Sequence, residues 1–465
     1  MNEMLATMNP PPSPWIGRSP RRAADRAPLL WRLNALLLMV MVAGIQPAQA
    51  VLPIEQWETS QGARVLFVRA DAIPMLDVAV HFDAGGRHAS PDRAGLASLT
   101  AALLDSGAGA LDEDAFADRF ARTGAQRSAS AGADGTTVTL RTLTTERELG
   151  EAVRLTASMI GSPTFPQAAL AREKDRLVAR LRESATQPAA IAQRRFDELL
   201  FAGHPYGRSA TVETVSAIEA EDLRGFHARN YAASRAVIAM IGAVTRARAE
   251  AIAEDLLRDL GRGVAPPPPE ALPPPPAPQA LRIAHPASQS HLLLGLRGVA
   301  YDDPDLLALQ WANHVLGGGG FTSRLYAEVR EKRGLAYSVY SYFAPRSQPG
   351  PFVIGLQTRK DQAERALEVV RETLERFVRE GPTDEELAAA RANLIGGFPL
   401  KLDSNRKILS QLTLIGMHRL PIDWLERWPE RLAALSREDV MRALARRLDP
   451  SQLITVIVGA PESQP

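Results

Sequence analysis

The chain has 465 residues, 45% of them hydrophobic and 23% charged, with a formal net charge of +1. That is room for two or more domains with full cores, and the charge balance gives no electrostatic case for nucleic acid. There is no cysteine, which excludes disulfides, a cysteine nucleophile and thiolate zinc sites; none of the eight histidines lies three or four residues from another, so no helix turn carries a histidine pair for a metal.

Residues 1–50 read as a targeting segment. Arg18, Arg21, Arg22, Arg26 and Arg32 form a basic region, Leu36–Ile45 is an apolar run of ten, and Ala48 and Ala50 give a small-x-small cleavage pattern. The expectation is a signal peptide cleaved after Ala50 and export to the periplasm; the alternative is membrane anchoring by an uncleaved segment. Losing these five basic and two acidic residues takes the formal charge from +1 to −2.

The first half, 51–262, opens with strand-like segments at 63–70 and 76–86. A helix follows at 94–104, then long amphipathic helices near 146–160 and 167–183. It ends on the apolar strand RAVIAMIGAV, 235–244. A proline-rich linker, 263–280, contains APPPPEALPPPPAP, which favours an extended spacer. The second half, 281–465, repeats the order: a strand at 290–300, a helix at 305–316, long helices near 361–380 and 383–396, and a closing strand at 452–460. The repetition predicts an α+β fold of two homologous domains, each a mixed or antiparallel sheet with helices packed on one face.

Within the second half, GGGGFTSRLYAEVREKRGLAYSVYSYF (317–343) reads as a glycine loop, a helix over 323–333 stopped by Gly334, and a strand. Strict alternation would place Tyr337, Val339, Ser341 and Phe343 on one face. The glycines suit a flexible, close-approach segment lining a cleft. Arg330 and Tyr337, seven apart, are two hydrogen-bond donors at the helix end and strand start. From the residues alone Arg330 is equally a cation complementing the helix dipole on a solvated charged face, and Tyr337 an ordinary sheet residue.

This segment resembles the C-terminal half of the pitrilysin/insulinase-type metallopeptidases, the inverted-zinc-motif group that includes processing peptidases. HPYGRSATVETVSAIEAEDLRGFHARNYAASRAVIAMIGAV (204–244) and PTDEELAAARANLIGGFPLKLDSN (382–405) extend the similarity over nearly all of 52–460. Active members carry His-x-x-Glu-His in a helix that GGRHASPDRAGLASLTAALLDSGAG (85–109) matches. In that register Ser98 and Ala102 stand at the two histidine positions and Ala101 at the glutamate that acts as base. Arg180 stands at the third, glutamate, ligand position. The spacing that puts i, i+3 and i+4 on one helix face is kept, but no imidazole or carboxylate remains. His88 reads as a lone solvent-facing histidine, His204 as a turn or packing residue, and Asp92 as a cap for the following helix.

The resemblance implies that Arg330 and Tyr337 reach the substrate across a closed chamber. The expectation is therefore a zinc-free, noncatalytic subunit of a heterodimeric zinc metallopeptidase, inactive alone. A homologous partner would supply His-x-x-Glu-His and zinc, this chain would supply Arg330 and Tyr337 in trans, and the pair would close as a clamshell around a peptide or small protein substrate. The alternative is a purely structural or peptide-binding subunit.

Overall fold

The structure, a computed structural model, describes residues 53–263 and 270–460. The targeting segment, its cleavage site after Ala50 and the first proline run lie outside the described residues.

The first sheet contains β1 (Glu55–Glu58), β2 (Arg64–Arg69), β3 (Met75–Phe82), β4 (Gln126–Ala131), β5 (Thr136–Leu143) and β6 (Ala236–Gly242), in the order β1-β2-β6-β3-β5-β4. The second contains β7 (Gln279–Ala284), β8 (Gln289–Arg297), β9 (Ala336–Phe343), β10 (Pro351–Arg359) and β11 (Ile454–Ala460), in the order β7-β11-β8-β10-β9. The topologies superpose once β1 is set aside. In each, the last strand of the half enters the middle, parallel to one neighbour and antiparallel to the other. The repeat expected from the order of elements is thus present strand for strand, and β4 and β9 are equivalent free edges.

One face of each sheet carries that half's own helices. Val65, Phe67, Val78, Val80 and Phe82 alternate toward the first core, and Leu292, Leu294, Phe352 and Ile354 toward the second. The other face receives a helix from the opposite half. Helix Asn405–Met417 lays Ile408, Leu412 and Ile415 on Leu66, Val68, Ala239 and Ile241. Reciprocally, helix Pro188–Leu200 lays Ala192, Phe196 and Leu200 on Leu293, Val353, Val456 and Val458. Strands covered on both faces need continuous rather than alternating apolar sequence, which is why 235–244 and 452–460 read as unbroken hydrophobic runs.

The described part of the linker is held by side chains. Leu272 packs on the second sheet's outer cluster, and Gln348 both donates to the Glu270 carbonyl (2.6 Å) and accepts from the Leu272 N–H (3.1 Å). β7 begins at Gln279, inside the expected linker.

Candidate functional site

The Gly317–Phe343 segment lies between the second half's first helix and its edge strand. Helix Leu306–Asn313 does not end in a loose glycine loop. It runs on through a widened turn, His314–Gly318, closed by the bond from the Gly319 N–H to the His314 carbonyl (2.8 Å). A Cβ on Gly317 would sit 2.4 Å from Ser341 Oγ and 2.6 Å from Ser341 N. The glycine is therefore there to let the helix approach β9, the close approach expected of this segment. Asn313 fixes the approach by donating to the Ser341 carbonyl (2.9 Å) and accepting from its hydroxyl (2.6 Å). Gly317→Ala should overpack this contact, costing about 1–3 kcal/mol of stability in denaturant melts. An unchanged midpoint would show that the contact yields freely.

After Ser323 the chain re-enters a helix, most of it, Tyr326–Glu331, in π form, with the Lys332 N–H bonded to the Ala327 carbonyl (3.0 Å). Gly334, at φ 62°, ends it in the left-handed region as expected. β9 then begins with a bulge. Val339 pairs with Leu356 but Ala336 with Thr358, so three residues of β9 span two of β10. This breaks the expected alternation: Tyr337 leaves the face that buries Val339 and Ser341 and is 80% exposed.

A π turn and a bulge therefore flank the Arg330–Tyr337 pair, and both kinds of irregularity re-aim side chains. The Arg330 guanidinium lies 4.7 Å from the Tyr337 ring centroid and 4.9 Å from that of Tyr326. Ring contact orients the cation through its faces and leaves its N–H edges for another acceptor. Among the described residues Arg330 has no ion pair. Its neighbours do: on the expected exposed charged face, Glu328 binds Lys332 (2.9 Å), Arg333 (2.6 Å) and Arg376 (3.2 Å). The hydrogen bond from Lys332, with Arg333 and Arg376, holds the Glu328 carboxyl down at about 2.

Ser98, Ala101 and Ala102 all fall on helix Leu96–Ala102, where Ser98 and Ala102 are exposed and Ala101 is buried. Arg180 is exposed on helix Gln167–Ser184, which touches that helix, and it bonds Glu173 (3.2 Å). These four residues do not fit zinc: a hydroxyl, two methyls and a guanidinium supply no imidazole and no anionic oxygen. Among the described residues no three His, Cys, Asp or Glu side chains cluster as a metal site would require.

Three further readings are settled by contacts. His88 is not solvent-facing: its Nε2 meets Asp83 Oδ1 at 2.7 Å, beside Arg87 on the same carboxylate (2.7 Å). Asp92 caps no helix. It lies in a short turn, bound by the Ser90 hydroxyl (2.6 Å), while the following helix starts at Leu96 after Gly95. His204 is a buried turn residue, its Nδ1 accepting from the Tyr206 N–H (3.1 Å), which leaves Nε2 to donate to the Glu270 carbonyl (3.1 Å).

The sequence reading missed a polar junction between the halves. Asp134, in the β4–β5 turn, accepts from Tyr206 Oη (2.5 Å), the Ser347 N–H (3.0 Å) and Arg87 (3.4 Å). Burial works to raise the Asp83 carboxyl, but hydrogen bonding to His88 and the charge of Arg87 overcome it and hold it at about 2, against 3.8 ordinarily. A depressed carboxylate stabilises the fold above its unfolded value and loses that contribution as pH falls through the folded one. Amide protection in the 83–88 loop should therefore hold above pH 3.8 and fall progressively toward pH 2. Loss of protection already at pH 5 would contradict the assignment.

Comparison with known proteins finds similarity along both halves of the chain. The model described as insulinase (peptidase family M16) matches residues 64–213, and that described as the peptidase M16 inactive domain matches 217–394. The solved structure of a peptidase M16 inactive domain from Pseudomonas fluorescens is 36% identical, covers 89% of this chain and 99% of its own, and superposes with a TM-score of 0.83. An uncharacterized zinc protease of Bacillus subtilis is 25% identical over 89% of this chain and 100% of its own. A non-peptidase homolog of Helicobacter pylori is 26% identical over 82% of this chain and 87% of its own.

Proposed function

Because the chain belongs to the M16, insulinase-type, peptidase family and lacks that family's zinc motif, we propose that it is the zinc-free subunit of a two-chain peptidase. The observation that carries this reading is the coexistence of two facts. The positions expected for the metal hold Ser98, Ala101, Ala102 and Arg180, while the Arg330 guanidinium lies over the Tyr337 ring and, among the described residues, neither side chain is paired with a carboxylate. A homologous partner brings His-x-x-Glu-His and its zinc. Peptide hydrolysis builds negative charge on the scissile carbonyl oxygen, and a guanidinium and a phenol aimed at that oxygen bind the transition state more strongly than the ground state. The substrate, a peptide or small protein segment, lies extended along a free sheet edge. Export by the N-terminal segment puts the pair in the periplasm.

The test is reconstitution. The chain purified alone should show neither peptide cleavage nor stoichiometric zinc, and mixing with an M16 chain that carries the motif should give both a stable complex and cleavage. Full activity with one zinc in the lone chain overturns the reading. Complex formation and peptide binding that leave the partner's turnover unchanged would favour the purely structural or peptide-binding subunit.

A further inference from the structure

We propose that the cavity between the outer face of the first sheet and helix Asn405–Met417 binds a carboxylate, carried either by a small free acid or by an acidic side chain of a peptide lying along β4. The cavity is distinct from the Arg330–Tyr337 pair. Its volume of about 680 Å³ lies in the range of small-molecule sites.

The apolar side of this helix covers the outer faces of β2 and β6 and reaches Ala79 of β3, but beyond Ala79, toward β5 and β4, it does not. There the floor is polar, with Asp77, Thr139, Arg141 and Ser128. The helix contributes Arg406 and Ser410, and the far wall holds Arg346 and Tyr301, whose ring stacks on His418 at 3.9 Å between centroids.

The charges lining this space do not balance. Both acids are occupied. Arg141 takes Asp77 through two bonds (2.6 and 3.1 Å), and Asp134 is held in the junction with Arg87, Tyr206 and Ser347. Two of the cations are also occupied, Arg141 by Asp77 and Arg127 by Asp105 (2.7 Å). Arg346 and Arg406 are left with no ion pair among the described residues, and the buried Nη1 of Arg346 has no hydrogen-bond partner. The nearby Asp197 makes no hydrogen bond to Arg346; burial raises its carboxyl, and the hydrogen bond from Gln193 and the charge of Arg346 offset only part of that rise. A guanidinium presents a planar fork that a carboxylate matches with two acceptors, and the Ser and Thr hydroxyls around it can serve the remaining polar atoms.

The route of entry sets the two sources. β4 is a free edge, and Gln126 and Ser128 face the cavity. A peptide added to β4 would send alternate side chains into the cavity, where one acidic residue would meet the unpaired arginines.

Calorimetric titration of the full chain tests this with two matched pairs: glutarate against glutaramide, and an eight-residue extended peptide with a central Glu against its Gln counterpart. The expected result is at least tenfold preference for the acid in one pair, reduced to parity in both Arg346→Gln and Arg406→Gln. Preference in the glutarate pair assigns a free acid, and preference in the peptide pair alone assigns an acidic side chain. Arg406 is exposed at the first turn of its helix, so Arg406→Gln keeps the fold and a melting curve can verify it. No acid preference in either pair, or a preference that survives both substitutions, overturns the proposal. Neither outcome bears on the reconstitution assay, which reads turnover in the pair.

Discussion

In the reconstituted pair, Arg330→Ala should lower kcat by roughly 10²–10³-fold, about 2.7–4 kcal/mol of barrier, with zinc content unchanged. The size follows from removing a charged donor from the charge that develops only in the transition state, so the loss belongs in kcat more than in KM. Tyr337 allows a finer dissection, because its ring and its hydroxyl do separate things. Tyr337→Phe keeps the ring 4.7 Å from the guanidinium and removes only the phenol donor; Tyr337→Ala also removes one of the two rings that orient Arg330. The expected order of damage is therefore Phe, then Ala, and combining Tyr337→Ala with Arg330→Ala should cost less than the sum, since both act on one group. Parity of all three variants with the unmodified pair would remove the donor role and leave a binding subunit.

The segment around Arg330 and Tyr337 and the helix Leu96–Ala102 differ in how much the sequence discloses. The expected metal positions were legible because the family resemblance fixes the register of 95–102, helical spacing then puts 98, 101 and 102 on one turn, and no packing can turn Ser or Ala into an imidazole or a carboxylate. The helices at 146–160 and 361–380 were legible for a related reason: their apolar periodicity runs the length of the helix. What alternation could not give was the orientation of Tyr337, because a bulge inserts a residue at 337–338 that no local pattern announces. Nor could composition show that the close approach at Gly317 is to Ser341 of β9, since glycine reads the same whatever neighbour it admits. The Asp134 junction and the Asp83–His88 contact join residues from 5 to 213 positions apart. Single-sequence reasoning sees these as isolated polar residues in loops.

The exchange of helices between the halves was likewise hidden, although its cause is in the sequence. An unbroken apolar run such as 452–460 demands cover on both faces of its strand, but only one face can be served by helices of its own half. Phe196→Ala should therefore be the most destabilising single truncation outside the two cores, by about 3–5 kcal/mol. Phe196 is fully buried, and its Cζ stands 2.7 Å from where a Gly295 Cβ would lie, so its ring occupies the space that a side chain on β8 would fill. Leu412→Ala, the matching truncation under the first sheet, should cost about 2–5 kcal/mol. Because each sheet borrows its outer layer from the other half, neither can lose that layer and remain complete. Both variants should consequently unfold in one transition, with the amides of β6 and β11 losing hydrogen-exchange protection together at a lower denaturant midpoint. A variant in which one sheet exchanges freely while the other stays fully protected would mean that the halves are independent domains resting against each other, and that the crossed helices only decorate their surfaces.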